Sequence, residues 1–284
     1  MAMSSASPPD PELLALNTAS VREKWTLREI IDGCARYRFH GISLWRDRLE
    51  QMGVKEAAKA AGGGGLTITG LYGGGRFPAP ERKARRAAID DTRRAIDDAA
   101  GLEARCLVLV AGALPGASKD LAGAREMIRD GIGEVLDHAR AAGVPLAIEP
   151  QHPMHCAAQC CVNTLAQALD LCEELDRGGA ALGVAVDVYH VWWDPQLKAQ
   201  IERAGEKRLL AFQISDWLLA SRDMLTDRGM MGDGVIDLPL VRTWMEEAGY
   251  RGFHEVEILS ADNWWRRDHE ELLATCRMRH RTAC

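Results

Sequence analysis

The stretch Val144-Pro-Leu-Ala-Ile-Glu-Pro-Gln-His152 decides the fold. An apolar run of strand character delivers a carboxylate, Glu149, at its C-terminal end, and Pro150 then stops the ladder because it has no N–H to donate. Three later runs end in the same manner: Val184-Ala-Val-Asp187 followed by His190, Leu209-Leu-Ala-Phe-Gln213 followed by Asp216, and Phe253-His-Glu-Val-Glu257. Strands that place an acid at their exit are uncommon unless the acid is used.

Outward from that stretch the chain alternates without a change of kind. Strands are expected at 13–17, 41–45, 66–71, 106–110, up to 149, 182–187, 208–214 and 252–258. Between them fall amphipathic or charged helices at 27–37, 50–61, 81–100, 124–142, 164–175, 195–205, 238–248 and 268–276. Thr26 and Asn163 read as helix caps, and the run Gly62 to Gly65 closes a helix that it cannot sustain. Eight strand–helix alternations predict an α/β protein with a single (β/α)8 barrel, its parallel strands apolar because both faces are buried. A doubly wound open sheet would show a glycine-rich phosphate loop after the first strand, and Leu16-Asn-Thr-Ala-Ser20 is not one. Residues 1–11, rich in Ser and Pro, read as a disordered tail, and 12–284 as one barrel domain.

The net charge of −6 and a pI near 5.8 argue against nucleic acid as partner, since phosphate binding needs a basic face. The basic cluster at 83–94 alternates with Asp90, Asp91, Asp97 and Asp98, as a solvated helix face does. No run approaches a membrane span. The N-terminal residues lack a secretory pattern, so the eight cysteines are expected to be reduced thiols in a cytoplasmic protein.

In such a barrel the strand exits share one rim, so Glu149, Asp187, Gln213 and Glu257 are expected together. Three carboxylates crowded there raise each other's pKa unless a cation neutralises them, and an all-oxygen set suits manganese or magnesium. The imidazoles His152 and His190 keep zinc, iron and cobalt open. Taken singly, each acid is a solvated strand end; the four together point to a metal. Glu255 competes with Glu257, because residues two apart face the same side. Cys156, Cys160 and Cys161 match no zinc spacing and read as loop residues. Trp192, Trp193 and Trp217 are candidates for an aromatic wall against a sugar ring, and Arg228 for a substrate contact or an ion pair with Asp227 or Asp233.

The motifs Ile148-Glu-Pro150, Val186-Asp-Val-Tyr-His190, Phe212-Gln-Ile-Ser-Asp216, Gly232-Asp-Gly-Val-Ile-Asp237 and Gly249-Tyr-Arg-Gly-Phe-His-Glu-Val-Glu257 resemble the xylose-isomerase-like sugar isomerase/epimerase superfamily. The resemblance covers about residues 13 to 276. It implies metal ligands Glu149, Asp187, Gln213 and Glu257, with Glu257 preferred over Glu255, and proton exchange by Glu149 and Glu257. It implies substrate contacts at His190, with His152, Asp216, Trp217 and Arg228 placed beside them. The third ligand is usually histidine in that family; Gln213 in its place weakens affinity for soft metals. The implied activity is isomerisation or epimerisation of a ketose, inosose or keto-sugar, with a lyase or dehydratase and a non-catalytic sugar-binding barrel as alternatives. A sugar or cyclitol would be the partner, and a homo-oligomer is compatible. Endonuclease IV shares the fold, but its additional histidine ligands have no counterpart here.

Overall fold

The computed structural model describes residues 7–22 and 24–284. Eight parallel strands close into one barrel in sequence order, β1 Leu14–Asn17, β2 Gly41–Trp45, β3 Thr67–Gly75, β4 Leu107–Val110, β5 Leu146–Ile148, β6 Leu182–Asp187, β7 Leu209–Ile214 and β8 His254–Val256, with β8 pairing back to β1. The helices α1 Leu27–Arg36, α2 Arg46–Leu49, α3 Val54–Gly63, α4 Arg82–Gly101, α5 Leu121–Ala142, α6 Leu165–Leu175, α7 Val188–Val191, α8 Leu197–Arg208, α9 Leu238–Glu247 and α10 His269–Ala283 fill the connections. The expected (β/α)8 barrel is therefore present. No helix among the described residues is long and apolar enough to cross a membrane.

Local chemistry sets the helix starts. Thr26 and Glu29 form a reciprocal capping box on α1, and Asp120, Asp237 and Asp268 accept first-turn N–H groups of α5, α9 and α10. On α6 the cap is Thr164 rather than the expected Asn163, whose amide donates instead to the carbonyls of Gln151 and Cys160. The helix expected at 50–61 begins only at Val54, after Gly53 at φ +77°, and runs to Gly63 as α3, while the short α2 precedes it. The last helix runs through Ala283, beyond the expected 276.

Two apolar layers result. The large one lies between strands and helices; the smaller fills the barrel lumen with Tyr72, Cys106, Val108, Ala147, Ala185 and Ala211. Of the expected tail, 1–6 lies outside the described residues. Within 7–11, the Ser7 carbonyl accepts from Arg242, Pro9 is buried, and Asp10 caps a short turn.

Register fixes the height of each lumen side chain. Asp187 pairs with Gln213, and Gln213 with Glu255, so these three lie at one level. Glu257, two residues further along, stands one layer nearer the mouth. Strand β3 extends through Gly75, past the expected end at 71, because Gly74 and Gly75 take φ +82° and +80° there. A Cβ at Gly75 would stand 2.6 Å from the Val110 carbonyl oxygen, so only glycine lets β3 approach β4 at that point.

Candidate active site

A cavity of about 280 Å³ opens at the C-terminal ends of the strands, where a (β/α)8 barrel carries its chemistry. Its floor is formed by Glu149, Gln151, His190, Arg228 and Glu257, and its wall by Trp45, Tyr72 and the Gly73–Gly75 backbone. Asp187 and Gln213 lie immediately beneath, each fully buried.

Glu149 follows β5. One of its oxygens accepts from the Gln151 side-chain amide; the other, Oε2, is buried without a partner among the described residues. Asp187 closes β6, accepts the Tyr189 N–H at 2.9 Å, and receives Arg228 Nη1 at 2.8 Å. The same Nη1 reaches Glu257 Oε2 at 3.3 Å, while Asn17 donates to Glu257 Oε1 at 3.1 Å. Arg228 thus ties two of the acids together, and its guanidinium stands 4.5 Å over the Tyr189 ring. It pairs with neither Asp227 nor Asp233, which hold Arg222 and Arg279 respectively.

His190 Nδ1 accepts the His152 backbone N–H at 3.2 Å, and Nε2 stands 3.2 Å from Arg228 Nη2, which can only donate, so both ring nitrogens face donors. Nε2 also faces Asp187 Oδ2 at 3.5 Å and Glu149 Oε1 at 3.9 Å. Burial and the neighbouring Arg228 push His190 well below the ordinary imidazole range, so the ring is neutral. Burial, then the charges of Glu257 and Asp187, raises Glu149 well above the carboxylate range. Burial raises Asp187 and Glu257 as well, against the pull of Arg228.

Gln213 is oriented by a chain of donors. Tyr72 Oη donates to Glu255 Oε1 at 3.1 Å, so its oxygen is left to accept, and the Gln213 amide nitrogen donates to it. Gln213 Oε1 is thereby turned away from Tyr72 and is buried without a partner among the described residues. Glu255 also accepts from Asn17 at 2.8 Å and Thr69 at 3.1 Å. These bonds occupy its carboxylate beneath the floor, where burial holds it at about 7.

One guanidinium among Glu149, Asp187, Glu257 and Glu255 leaves the cluster acidic. Two orphaned, buried oxygens, Glu149 Oε2 and Gln213 Oε1, face no donor. A buried acceptor without a donor is costly unless a cation or water meets it, so the donor set fits a divalent cation of hard character. Ligating atoms of Glu149, Asp187 and His190 lie within 4.8 Å of one another.

The profile described as "Xylose isomerase-like TIM barrel" matches residues 31–276. The chain belongs to this family. Within it, protein SMc04130 of Sinorhizobium meliloti 1021 is 55% identical, with 97% of this chain and 99% of that one covered and a TM-score of 0.94. The inosose isomerase of Bacillus velezensis is 28% identical over 160 residues, which make up 54% of either protein. The chain thus spans about half the length of that curated relative. A structure of the IOLI protein with a binding zinc atom superposes over 94% of this chain and 95% of its own, with a TM-score of 0.81. At 20% identity that likeness is one of fold.

The xylose isomerase-like barrel brings Glu149, Asp187, Gln213, Glu257, His190 and Arg228 to one end, and leaves other expected residues away from the cavity. Asp216 is the clearest correction. Its carboxylate accepts the N–H groups of Trp217, Gly232, Gly234 and Ile236 at 2.8–3.0 Å, so it holds the loop after β7 and has nothing left for substrate. Trp217 packs on His152 and Tyr189, with ring centroids 5.0 and 4.8 Å away, and neither Trp217 nor His152 lines the cavity. The aromatic wall is instead Trp45 stacked on Tyr72 at 5.4 Å and 2°, with Trp45 Nε1 donating to Asn17 Oδ1 at 2.8 Å. Cys160 and Cys161 are loop residues whose sulfurs meet the Val162 N–H and the Cys156 carbonyl. Sequence reading missed Gln151, Tyr72, Trp45 and Asn17. Two of them, Asn17 and Trp45, are polar-tipped residues that close β1 and β2, and Tyr72 directly follows the strand expected at 66–71, the same signal that singled out Glu149.

Proposed function

We propose that this chain is a divalent-metal-dependent isomerase or epimerase acting at a carbon next to the carbonyl of a ketose, inosose or keto-sugar. The observation that carries the reading is the pair of buried oxygens without a partner among the described residues, Glu149 Oε2 at the floor of the cavity and Gln213 Oε1 beneath it, beside Asp187, Glu257, Arg228 and a neutral His190. Glu149, Asp187, Gln213 and Glu257 are the residues that would hold the cation, manganese or magnesium by its hard donors. When bound, such an ion would supply positive charge toward a substrate oxygen and keep Glu149 and Asp187 ionised at neutral pH.

The chain's own groups then divide the remaining work. Glu149, otherwise held protonated by burial and its acidic neighbours, becomes a base and takes the proton of the carbon beside the carbonyl. The electron pair moves into the carbon–carbon bond and onto the carbonyl oxygen, giving an enediolate. Arg228, with His190 beside it, is placed to donate to an oxygen that gains charge. Glu257, raised by burial to about 8 and so entering with its proton, returns it to the opposite face of the same carbon to give an epimer; return to the neighbouring carbon, with the hydroxyl proton passing to the former carbonyl oxygen, gives an isomer. The Trp45–Tyr72 stack offers an apolar face to one side of the ring or chain. The relatives support this class: the curated one is named an inosose isomerase, and structures of a 3-keto-D-glucoside 4-epimerase and a D-psicose 3-epimerase share the fold.

Incubation in deuterium oxide with manganese and a panel of ketoses, inososes and 3-keto sugars tests the reading. Deuterium should enter one carbon beside the carbonyl, and Glu149→Gln should slow that entry by about 10²–10⁴-fold while leaving the fold intact. Full exchange in Glu149→Gln, or a protein that neither contains nor takes up a divalent ion, excludes it.

A further inference from the structure

A second group of ligating side chains lies at the other end of the barrel. His254 is the first residue of β8, at the N-terminal side of the parallel sheet, whereas the cavity opens at the strand exits. His280 lies near the end of α10, and Cys284 follows that helix. All three are buried, at 1%, 1% and 5% exposure, and none lines the cavity. His254 Nδ1 stands 2.9 Å from His280 Nε2, and one ligating atom from each of the three residues lies within 4.8 Å of the others.

These separations bracket the donor spacing of a metal site. Tetrahedral zinc, with bonds of about 2.0–2.1 Å to nitrogen and 2.3 Å to sulfur, spaces its donors by about 3.3–3.6 Å. The two nitrogens need to part by only a few tenths of an ångström. The rings are framed rather than loose: Phe212 meets the His254 ring edge-on at 5.7 Å, and the two imidazoles stand 5.2 Å apart at 50°. Burial pushes the Cys284 thiol up to about 12, against the pull of Arg242, which is held by Glu246 and the Ser7 carbonyl, so the thiolate that ligation requires forms only with the ion in place.

We propose that His254, His280 and Cys284 form a zinc(II) site, two imidazoles and one thiolate, that ties the C-terminal end of α10 to the first residue of β8. Two nitrogens and a thiolate are a borderline-soft set, distinct from the oxygen donors at the barrel mouth. On binding, the hydrogen bond between the imidazoles opens, the ring that donates it moves its proton to its other nitrogen so that both present lone pairs to the ion, and the Cys284 proton leaves to solvent. The fourth position is left for water.

Cobalt(II) titration of chelator-treated protein reads the site directly, because a thiolate ligand gives a sulfur-to-cobalt charge-transfer band in the near ultraviolet and an all-oxygen set cannot. The band should saturate at one equivalent, vanish on adding zinc, be absent from Cys284→Ser and His280→Asn, and persist in Glu149→Gln. A wild-type protein without the band, or a band that survives Cys284→Ser, overturns the proposal. Should the variants fold poorly, the wild-type chain decides: zinc must protect Cys284 from alkylation, mapped by mass spectrometry, and unchanged labelling of Cys284 overturns it.

Discussion

Tyr72 gives its only hydroxyl proton to Glu255, at 3.1 Å, and that single bond determines which atom of Gln213 faces the cavity floor. Because the phenol oxygen can then only accept, the Gln213 amide must present its NH₂ to Tyr72 and its carbonyl oxygen toward the acids. Tyr72→Phe removes the lock: the amide loses its acceptor and is free to turn its NH₂ to the floor. Manganese affinity, measured by calorimetric titration, should fall about 10–100-fold, as it does when outer partners of metal ligands are removed. Unchanged affinity would show that the amide is oriented by something other than Tyr72.

Gln213→His places an imidazole nitrogen where the unpartnered carbonyl oxygen now stands. Nitrogen raises the preference for zinc and cobalt over manganese and magnesium. Competitive titration of the purified variant should therefore show the zinc-to-manganese affinity ratio increased about tenfold or more, since one neutral oxygen is exchanged for a better donor to borderline metals. A ratio equal to that of the wild type would remove position 213 from the ligand set.

The barrel was legible because its strands are largely apolar on both faces and each is followed by a helical segment, one of them marked by its Thr26 cap. Strand ends were less so. Glycines at 73–75 read as loop, yet positive φ lets them continue β3, and Tyr72 enters the site as a result. Alternation puts Glu255 and Glu257 on the same face but carries no height; only the pairing of Gln213 with Glu255 shows that Glu257 lies one layer nearer the mouth. Asp216 shows the opposite error. An acid after a strand looked available, but its partners are backbone amides 16 to 20 residues later, which no local pattern reveals.

Asp216→Asn tests that loop-holding position. The carboxylate accepts four backbone N–H groups, and an amide brings one acceptor oxygen and an NH₂ that opposes donors. Stability should fall by about 3 kcal/mol in urea titration, the scale expected when charged hydrogen bonds to buried donors are lost. Amide exchange at Gly232, Gly234 and Ile236 should accelerate more than exchange in the barrel strands. Uniform exchange across the chain would assign the loss to global stability alone and exclude a local clasp.

The His254–His280 pair predicts how chelator-treated protein fails in acid. Burial, followed by the neighbouring His280 and Arg242, lowers His254 from about 6.5 to about 3; burial and Arg242 lower His280 to about 4. Both rings are therefore neutral in the folded chain at pH values where the unfolded chain has protonated them. The unfolded state binds more protons between pH 6.5 and about 3–4, so the stability present above 6.5 is lost as pH falls through that window. Each histidine adds a slope of up to about 1.4 kcal/mol per pH unit. His280→Gln removes one titrating ring while keeping a polar side chain, and the denaturant midpoint should then fall less steeply between pH 6.5 and 4. An acid limb as steep as that of the wild-type chain would place the titrating groups elsewhere.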